Sequence, residues 1–277
     1  MNKRRIAVGG TTYAVVDKGE GMPVLLLHGF PDSSALWRNQ IPALLGAGFR
    51  VVAPDLRGYG DSDKPQDVEG YRLHLVAGEI LALLDVLGIE CAHVVGHDWG
   101  AGLAWLIAAL FPQRVDRLVA LSVGHPATTV PRTIEQRERS WYMLLFQFTG
   151  VAEELIQRDD WRLMREFTRG EGDMDRYLVD LPRPGALTAS LNLYRANMHP
   201  SRELEPPRPL PAVAAPTLGI WGSRDPYIIE SRMQRSGEFV TGRWRYERIE
   251  NAGHWLPLDS AERINELLLE HLGPNAS

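Results

Sequence analysis

The chain has 277 residues, of which 44% are apolar and 23% charged, and its formal net charge is −5. This composition is that of an ordinary globular protein with a sizeable core, and it excludes the basic footprint of a nucleic-acid-binding protein. No apolar stretch is long enough to span a bilayer, and the basic start at residues 1–5 is not followed by the apolar segment of an export signal. A single cysteine, Cys91, excludes an intrachain disulfide, so we expect a cytoplasmic protein. From the charge and the short apolar stretches we expect no nucleic-acid or membrane partner.

The first 125 residues alternate between strand and helix patterns. They predict an antiparallel edge hairpin at 6–8 and 13–16, strands at 24–27, 50–53, 92–96 and 115–123, and helices at 33–46, 73–87 and 101–111. Asp32, Ser33 or Ser34 is available as the N-cap of the first helix. Because strand and helix segments alternate, and the segment 24–27 is a continuous apolar run that suits a strand buried on both faces, we predict an α/β fold with a mostly parallel, doubly wound sheet. Ligands bind such sheets at the carboxyl ends of the strands.

The alternation stops at His125-Pro126 and resumes near residue 216. Between them, residues 133–169 and 186–196 have helical patterns, and the proline-rich stretch 206–211 predicts a stiff connector back to a strand at 216–221. We therefore predict a helical lid at 126–205, inserted into a core domain of residues 1–125 and 206–277. A helix at 231–239, a strand at 244–249 and a helix at 261–272 complete this core.

Asp98 lies between the predicted strand at 92–96 and the helix that follows it. Gly96-x-Asp98-x-Gly100 has the pattern of a nucleophile elbow, in which flanking glycines permit a strained turn that lifts the central side chain above the sheet edge. A carboxylate in this position is already charged and can attack saturated carbon. The alternative is that Asp98 is only the N-cap of the helix.

Two further strand ends carry residues that complete a catalytic site. His254 follows the last strand and is the candidate base, and Asp225 follows the strand after the lid and is placed to orient it, although an Asp before Pro is also a common turn former. The other strand end where such an acid could lie, at 120–124, has no carboxylate. The order nucleophile, acid, histidine along the chain is that of α/β-hydrolases.

An oxyanion site requires two N–H donors near the nucleophile. We expect them from the backbone of Trp99, directly after Asp98, and of Phe30, in the loop after the strand at 24–27. Pro31 offers no N–H and shapes this loop, with a cis bond as one possibility. We interpret the neighbouring His28 and His97 as structural, and no metal site is predicted.

Four segments resemble motifs of the epoxide hydrolase family of α/β-hydrolases. They are His28-Gly29-Phe30-Pro31, residues 55–62, Gly96-His97-Asp98-Trp99-Gly100 and Gly253-His254-Trp255. The resemblance covers nearly the whole chain and implies an α/β-hydrolase fold that acts on a small-molecule epoxide and water, without cofactor or metal. In that family two lid tyrosines hold the epoxide oxygen. The segments 141–147 and 191–198 are similar to those that carry them, which implies these roles for Tyr142 and Tyr194.

The lid tyrosines also fit the chemistry of the reaction. Opening an epoxide leaves an alkoxide on the same molecule, which donors that can release a proton stabilise. We expect Phe30, Trp99, Tyr142 and Tyr194 to contact substrate, and we interpret Tyr177 as a packing residue. The stretch from 167 to 177 is shorter than in the mammalian soluble enzymes.

Two other functions remain open from the sequence. Haloalkane dehalogenases share the aspartate elbow and a tryptophan after it, as Trp99 is here, but Phe30 stands where they usually have asparagine. A non-catalytic small-molecule receptor on a hydrolase scaffold is the alternative from another class. Our hypothesis is that Asp98 attacks an epoxide to form an ester, which His254, oriented by Asp225, hydrolyses to a vicinal diol.

Overall fold

A computed structural model describes residues 2–129, 133–204 and 209–273. Within these ranges eight strands form one sheet in the order β1-β2-β4-β3-β5-β6-β7-β8. The strands are β1 (Arg4–Val8), β2 (Thr11–Lys18), β3 (Pro23–Leu27), β4 (Arg50–Pro54), β5 (Ala92–His97), β6 (Val115–Leu121), β7 (Thr217–Gly222) and β8 (Trp244–Ile249). β2 pairs antiparallel with β1 and β4, and every pair from β4 to β8 is parallel. The predicted α/β fold is confirmed, including the antiparallel hairpin at one edge.

The central strands are buried on both faces, as their mainly apolar sequences predict. Every residue of β5 and β7 is buried, because helices cover the sheet on each side. The core helices are α1 (Gln40–Gly46), α2 (Leu73–Val86), α3 (Trp99–Leu110), α9 (Glu230–Gln234), α10 (Leu256–Asp259) and α11 (Ala261–Leu272). Because these strands are parallel, the carboxyl ends of β3, β5, β7 and β8 lie at the same edge of the sheet.

Two predicted core helices are shorter than expected. The pattern at 33–46 begins with a 3-10 helix, Ser34–Asn39, before α1, and its N-cap Ser33 makes no side-chain capping bond. The pattern at 231–239 divides into α9 and a 3-10 helix, Arg235–Phe239. α10 was not predicted, because a single turn has too few residues for a periodic pattern.

Five α-helices lie between β6 and β7 within the described residues, and we call residues 133–204 the helical insertion. They are α4 (Ile134–Arg139), α5 (Trp141–Leu145), α6 (Val151–Thr168), α7 (Met174–Asp180) and α8 (Ala186–Asn197). The single helical stretch predicted at 133–169 was wrong, because the backbone turns left-handed at Gly150 and again at 159–161, within α6. α7 was not predicted; the side chain of Asp173 caps its first turn.

The predicted connector at 206–211 lies partly outside the described residues. In the parts of the chain that are described, no helix has the length and apolar character needed to cross a bilayer.

Candidate active site

Asp98 lies on a strained turn between β5 and α3. Its φ of 53° and ψ of −120° place it in a region that residues with a Cβ rarely adopt. Close packing explains the two flanking glycines. A methyl group added to Gly96 would lie 2.2 Å from the Gly100 carbonyl oxygen, and one added to Gly100 would lie 2.0 Å from the Leu27 carbonyl oxygen. The Asp98 side chain makes no capping bond to α3, which contradicts the interpretation of this residue as a simple N-cap.

The side chain of His254 lies between two carboxylates. Its Nδ1 atom is 2.8 Å from Oδ2 of Asp225, and its Nε2 atom is 3.6 Å from Oδ2 of Asp98. Asp225 is held in place by the N–H groups of Tyr227 and Ile228, which donate to Oδ1 at 2.8 and 3.0 Å. The structure thus brings together the three residues that the sequence placed at separate strand ends.

The charges of this cluster shift the pKa values of His254 and Asp98 in opposite directions, and each shift favours the charged form. Burial by itself lowers the pKa of His254, but Asp225 and then Asp98 outweigh it and raise the pKa to about 10. Burial raises the pKa of Asp98, but His254, together with the Phe30 N–H, more than offsets this and holds it below the usual value. Asp98 is therefore an ionised carboxylate in a largely enclosed site, as a nucleophile must be.

The backbone of His254 is also fixed. Its carbonyl oxygen accepts a hydrogen bond from the Ser122 hydroxyl at 2.7 Å and lies 2.9 Å from Nε2 of His97. His28, after β3, is buried and accepts the Leu56 N–H at 2.9 Å. Both histidines thus hold backbone, which agrees with their interpretation as structural residues.

The loop after β3 brings a backbone donor to the nucleophile. The Phe30 N–H donates to Oδ1 of Asp98 at 2.8 Å, and the Phe30-Pro31 peptide is cis. A methyl group on Gly29 would lie 2.3 Å from the same Oδ1, so the carboxylate packs directly on this loop. Trp99 is the first residue of α3, where backbone N–H groups point away from the helix.

Tyr142 on α5 and Tyr194 on α8 face the same site. Both are buried, and their ring centroids are 5.9 Å apart. The Tyr194 ring is 5.0 Å from that of Trp99 and 5.3 Å from that of Phe30, centroid to centroid. Burial, with a further contribution from the Asp98 charge, raises the pKa of both tyrosines well above the usual value. Each hydroxyl therefore keeps its proton in the free protein and is available as a hydrogen-bond donor.

A cavity of about 100 Å³ opens onto Asp98, Trp99 and Tyr194. Its remaining walls come mostly from apolar groups of the core and of the helical insertion, among them Met143, Met198 and Ile228. The pocket therefore suits an apolar molecule whose reactive atoms lie against the carboxylate.

Two acidic residues near the site were missed by the sequence analysis. Asp32, considered there only as a helix cap, is buried and accepts the indole N–H of Trp255 at 2.9 Å. Burial raises its pKa to about 7. Burial, followed by the charge of the nearby Asp32, raises the pKa of Tyr177, which was expected to be a packing residue. Glu171 accepts the backbone N–H of His254, and no local sequence signal reveals this contact.

Similarity to known proteins identifies the family to which this chain belongs. A family model described as alpha/beta hydrolase fold matches residues 22–261. Epoxide hydrolase A of Mycobacterium tuberculosis is 35% identical over 98% of this chain and 97% of its own length. Epoxide Hydrolase A from Mycobacterium thermoresistibile has a crystal structure with a TM-score of 0.83 and 31% identity, covering 98% of this chain and 97% of that one.

A third similar protein was crystallised with a reaction product. It is a variant of an epoxide hydrolase from Bacillus megaterium, complexed with (R)-3-[1]naphthyloxy-propane-1,2-diol, with a TM-score of 0.87 and 28% identity over 98% of this chain and all of that one. Fold and sequence thus agree: the chain belongs to the alpha/beta hydrolase family and, within it, to the epoxide hydrolases.

Proposed function

We propose that the protein opens an epoxide to a vicinal diol through a covalent ester on Asp98. The observation that carries this proposal is the presence of two buried, protonated tyrosines in the same site as an ionised aspartate at an elbow. A carboxylate attack on saturated carbon needs no proton of its own, but the departing epoxide oxygen does. Tyr142 and Tyr194 supply that proton.

The contacts of Asp98 suggest a role for each of its oxygens. Oδ1 already accepts the Phe30 N–H, so Oδ2 forms the bond to the epoxide carbon. The carbon–oxygen bond of the ring breaks, its electron pair goes to the epoxide oxygen, and a tyrosine hydroxyl protonates that oxygen. Oδ1 then becomes the carbonyl oxygen of the ester, still held by Phe30.

Ester formation prepares His254 for the second half of the reaction. It removes the Asp98 charge, which is one of the two charges that raise the pKa of His254, so the imidazole can release its proton to solvent and act as a base. His254 then takes a proton from water, whose oxygen adds to the ester carbonyl, and the N–H groups of Phe30 and Trp99 stabilise the oxyanion on Oδ1. When this intermediate collapses, the ester carbon–oxygen bond breaks and the diol oxygen takes the proton from His254. The second proton of the water restores the tyrosine, and His254 regains its own proton from solvent as the Asp98 charge returns.

The helical insertion acts as a lid in this proposal, between core segments 1–125 and 206–277. It contributes both tyrosines and part of the apolar cavity wall. The cavity favours apolar epoxides, and the aryloxy diol bound by the Bacillus megaterium relative is the product of one such substrate class. Water is the only other reactant, no cofactor is required, and the half-buried Cys91 fits the proposed cytoplasmic location.

Trapping the ester tests the proposal. His254→Gln removes the base, while Asp98 can still attack, so the ester should accumulate and add the whole mass of an aryl epoxide to the protein. Proteolysis should locate this mass on the peptide that contains Asp98. A haloalkane would add its mass less hydrogen halide, and labelling only by haloalkanes would make the protein a dehalogenase. A folded variant that neither compound class labels would indicate a non-catalytic receptor.

A further inference from the structure

Glu171, in the loop between α6 and α7, contacts the turn that carries His254. Its Oε2 atom accepts the backbone N–H of His254 at 3.1 Å. Three other side chains form hydrogen bonds with the same residue: Asp225 at the ring, and Ser122 and His97 at the backbone carbonyl. All three belong to the core, so among these four contacts Glu171 alone comes from the helical insertion.

Gly253 provides the space for this contact. A methyl group built on Gly253 would lie 2.2 Å from the Glu171 carboxylate. The φ angle of Gly253 is outside the left-handed region, so backbone conformation does not require a glycine here. The glycine before His254 is instead explained by the carboxylate that packs against it.

A second carboxyl group lies on the same turn. Burial, followed by the nearby charge of Glu171, raises the pKa of Asp259 in α10 to about 6, while the backbone of Gly253 acts in the opposite direction. Two carboxyl groups, one from the insertion and one from the core, thus lie beside this turn. Burial, followed by the charge of Glu171, also raises the pKa of Tyr227, whose ring lies 5.0 Å from that of His254.

We infer that Glu171 is a positioning residue that ties the placement of the base to the placement of the helical insertion. The inference rests on the proposed function of His254. The Nε2 atom of His254 must be directed at a water on the ester carbonyl, and a shift of about 1 Å in such a group can reduce a rate by about 10²-fold. Glu171 acts through the backbone N–H and touches no reacting atom. Its effect therefore belongs to ester hydrolysis, which uses His254 as a base, and not to ring opening.

Single-turnover kinetics with an aryl epoxide tests the inference, because it measures the two half-reactions separately. Glu171→Ala should slow ester hydrolysis by about 10-fold to 10²-fold and change ring opening by less than about twofold. Glu171→Gln should recover most of the hydrolysis rate, since its amide oxygen can still accept the N–H. The matched control is Glu154→Ala, which removes an exposed carboxylate from α6; both of its rates should stay within about twofold of the parent.

Gly253→Ala disrupts the same contact from the core side, because its methyl group displaces the carboxylate. Alone it should slow hydrolysis, but in the Glu171→Ala background it should add little, since the contact is already lost. Additive losses, a parallel slowing of both half-reactions, or a Glu171→Ala hydrolysis rate equal to that of Glu154→Ala would each overturn the positioning role. If the parent protein formed no ester at all, the proposed function itself would fail.

Discussion

The Nε2 atom of His254 and the Oδ2 atom of Asp98 lie 3.6 Å apart, on the side of the imidazole opposite to Asp225. The charge of Asp98 therefore acts on the proton of His254, and ester formation removes that charge. Nucleophile and base are thus coupled: the first half-reaction changes the pKa on which the second depends.

This coupling predicts the pH dependence of the reaction. Asp98→Asn imitates the neutral ester, so the pKa of His254 in this variant should fall below the value of about 10 in the parent protein. Titration of the imidazole by NMR measures both values. The rate of ester hydrolysis should rise with pH and level off above the lower of these two pKa values, the one found in Asp98→Asn. An unchanged pKa in Asp98→Asn would contradict the coupling.

The nucleophile assignment makes a simple prediction. Asp98→Ala should reduce turnover to below about 1% of the parent rate, because no other carboxylate lies on the turn between β5 and α3. Steady-state assays with an aryl epoxide measure the loss, and circular dichroism should show that the variant remains folded. A larger residual activity would place the nucleophile elsewhere.

The tyrosines should affect ring opening. Tyr142→Phe or Tyr194→Phe should slow ester formation by roughly 10²-fold, as expected for the loss of a donor to a developing oxyanion, and the double variant should nearly stop it. Stopped-flow quenching of Trp99 fluorescence can follow this step. The matched control is Tyr246→Phe on β8, which removes a hydroxyl that donates a hydrogen bond to Glu230 of α9. If both single variants reacted at the control rate, another group would protonate the epoxide oxygen.

Asp32 should make stability depend on pH. Its pKa of about 7 in the folded protein lies above that of an unfolded aspartate, so its contribution to the free energy of unfolding is retained at acidic pH and lost as the pH rises from about 4 to 7. Asp32→Asn should remove this loss. Between about pH 4 and 7 the free energy of unfolding of the variant should therefore rise relative to that of the parent by an amount on the order of a few kcal/mol. Urea unfolding at several pH values measures it, with the exposed Asp175→Asn as control. Parallel stability curves for Asp32→Asn and the parent would contradict the raised pKa.

The sequence predicted the strands better than the insertion, for a physical reason. Strands buried on both faces are mainly apolar, so segments such as 24–27 and 92–96 can be recognised without tertiary information. The stretch 133–169 keeps a helical pattern across Asp159 and Asp160, and only the packed chain shows that the backbone there is left-handed.

The same limit applies to the site. Asp98, Asp225 and His254 were recognisable because each follows a strand, and parallel strands end at the same edge. Glu171 lies 83 positions before His254 in the chain, and its carboxylate reaches the turn only because the insertion folds back onto the core. Asp32 likewise meets Trp255 across 223 positions. Contacts of this kind have no local pattern.

The insertion leaves the sheet after β6 and returns at β7, so one continuous segment supplies both tyrosines, while the nucleophile, the base and the Phe30 donor all come from the surrounding core. On the proposed roles, the ability to protonate a leaving oxygen is therefore separable from the ability to form and cleave an aspartyl ester, as long as the segment retains Glu171, which positions the base. Exchanging this segment for one without the tyrosines should leave an enzyme that still reacts with substrates whose leaving group needs no proton. The choice between substrate classes in such a protein could therefore be changed by exchanging one continuous segment of the chain.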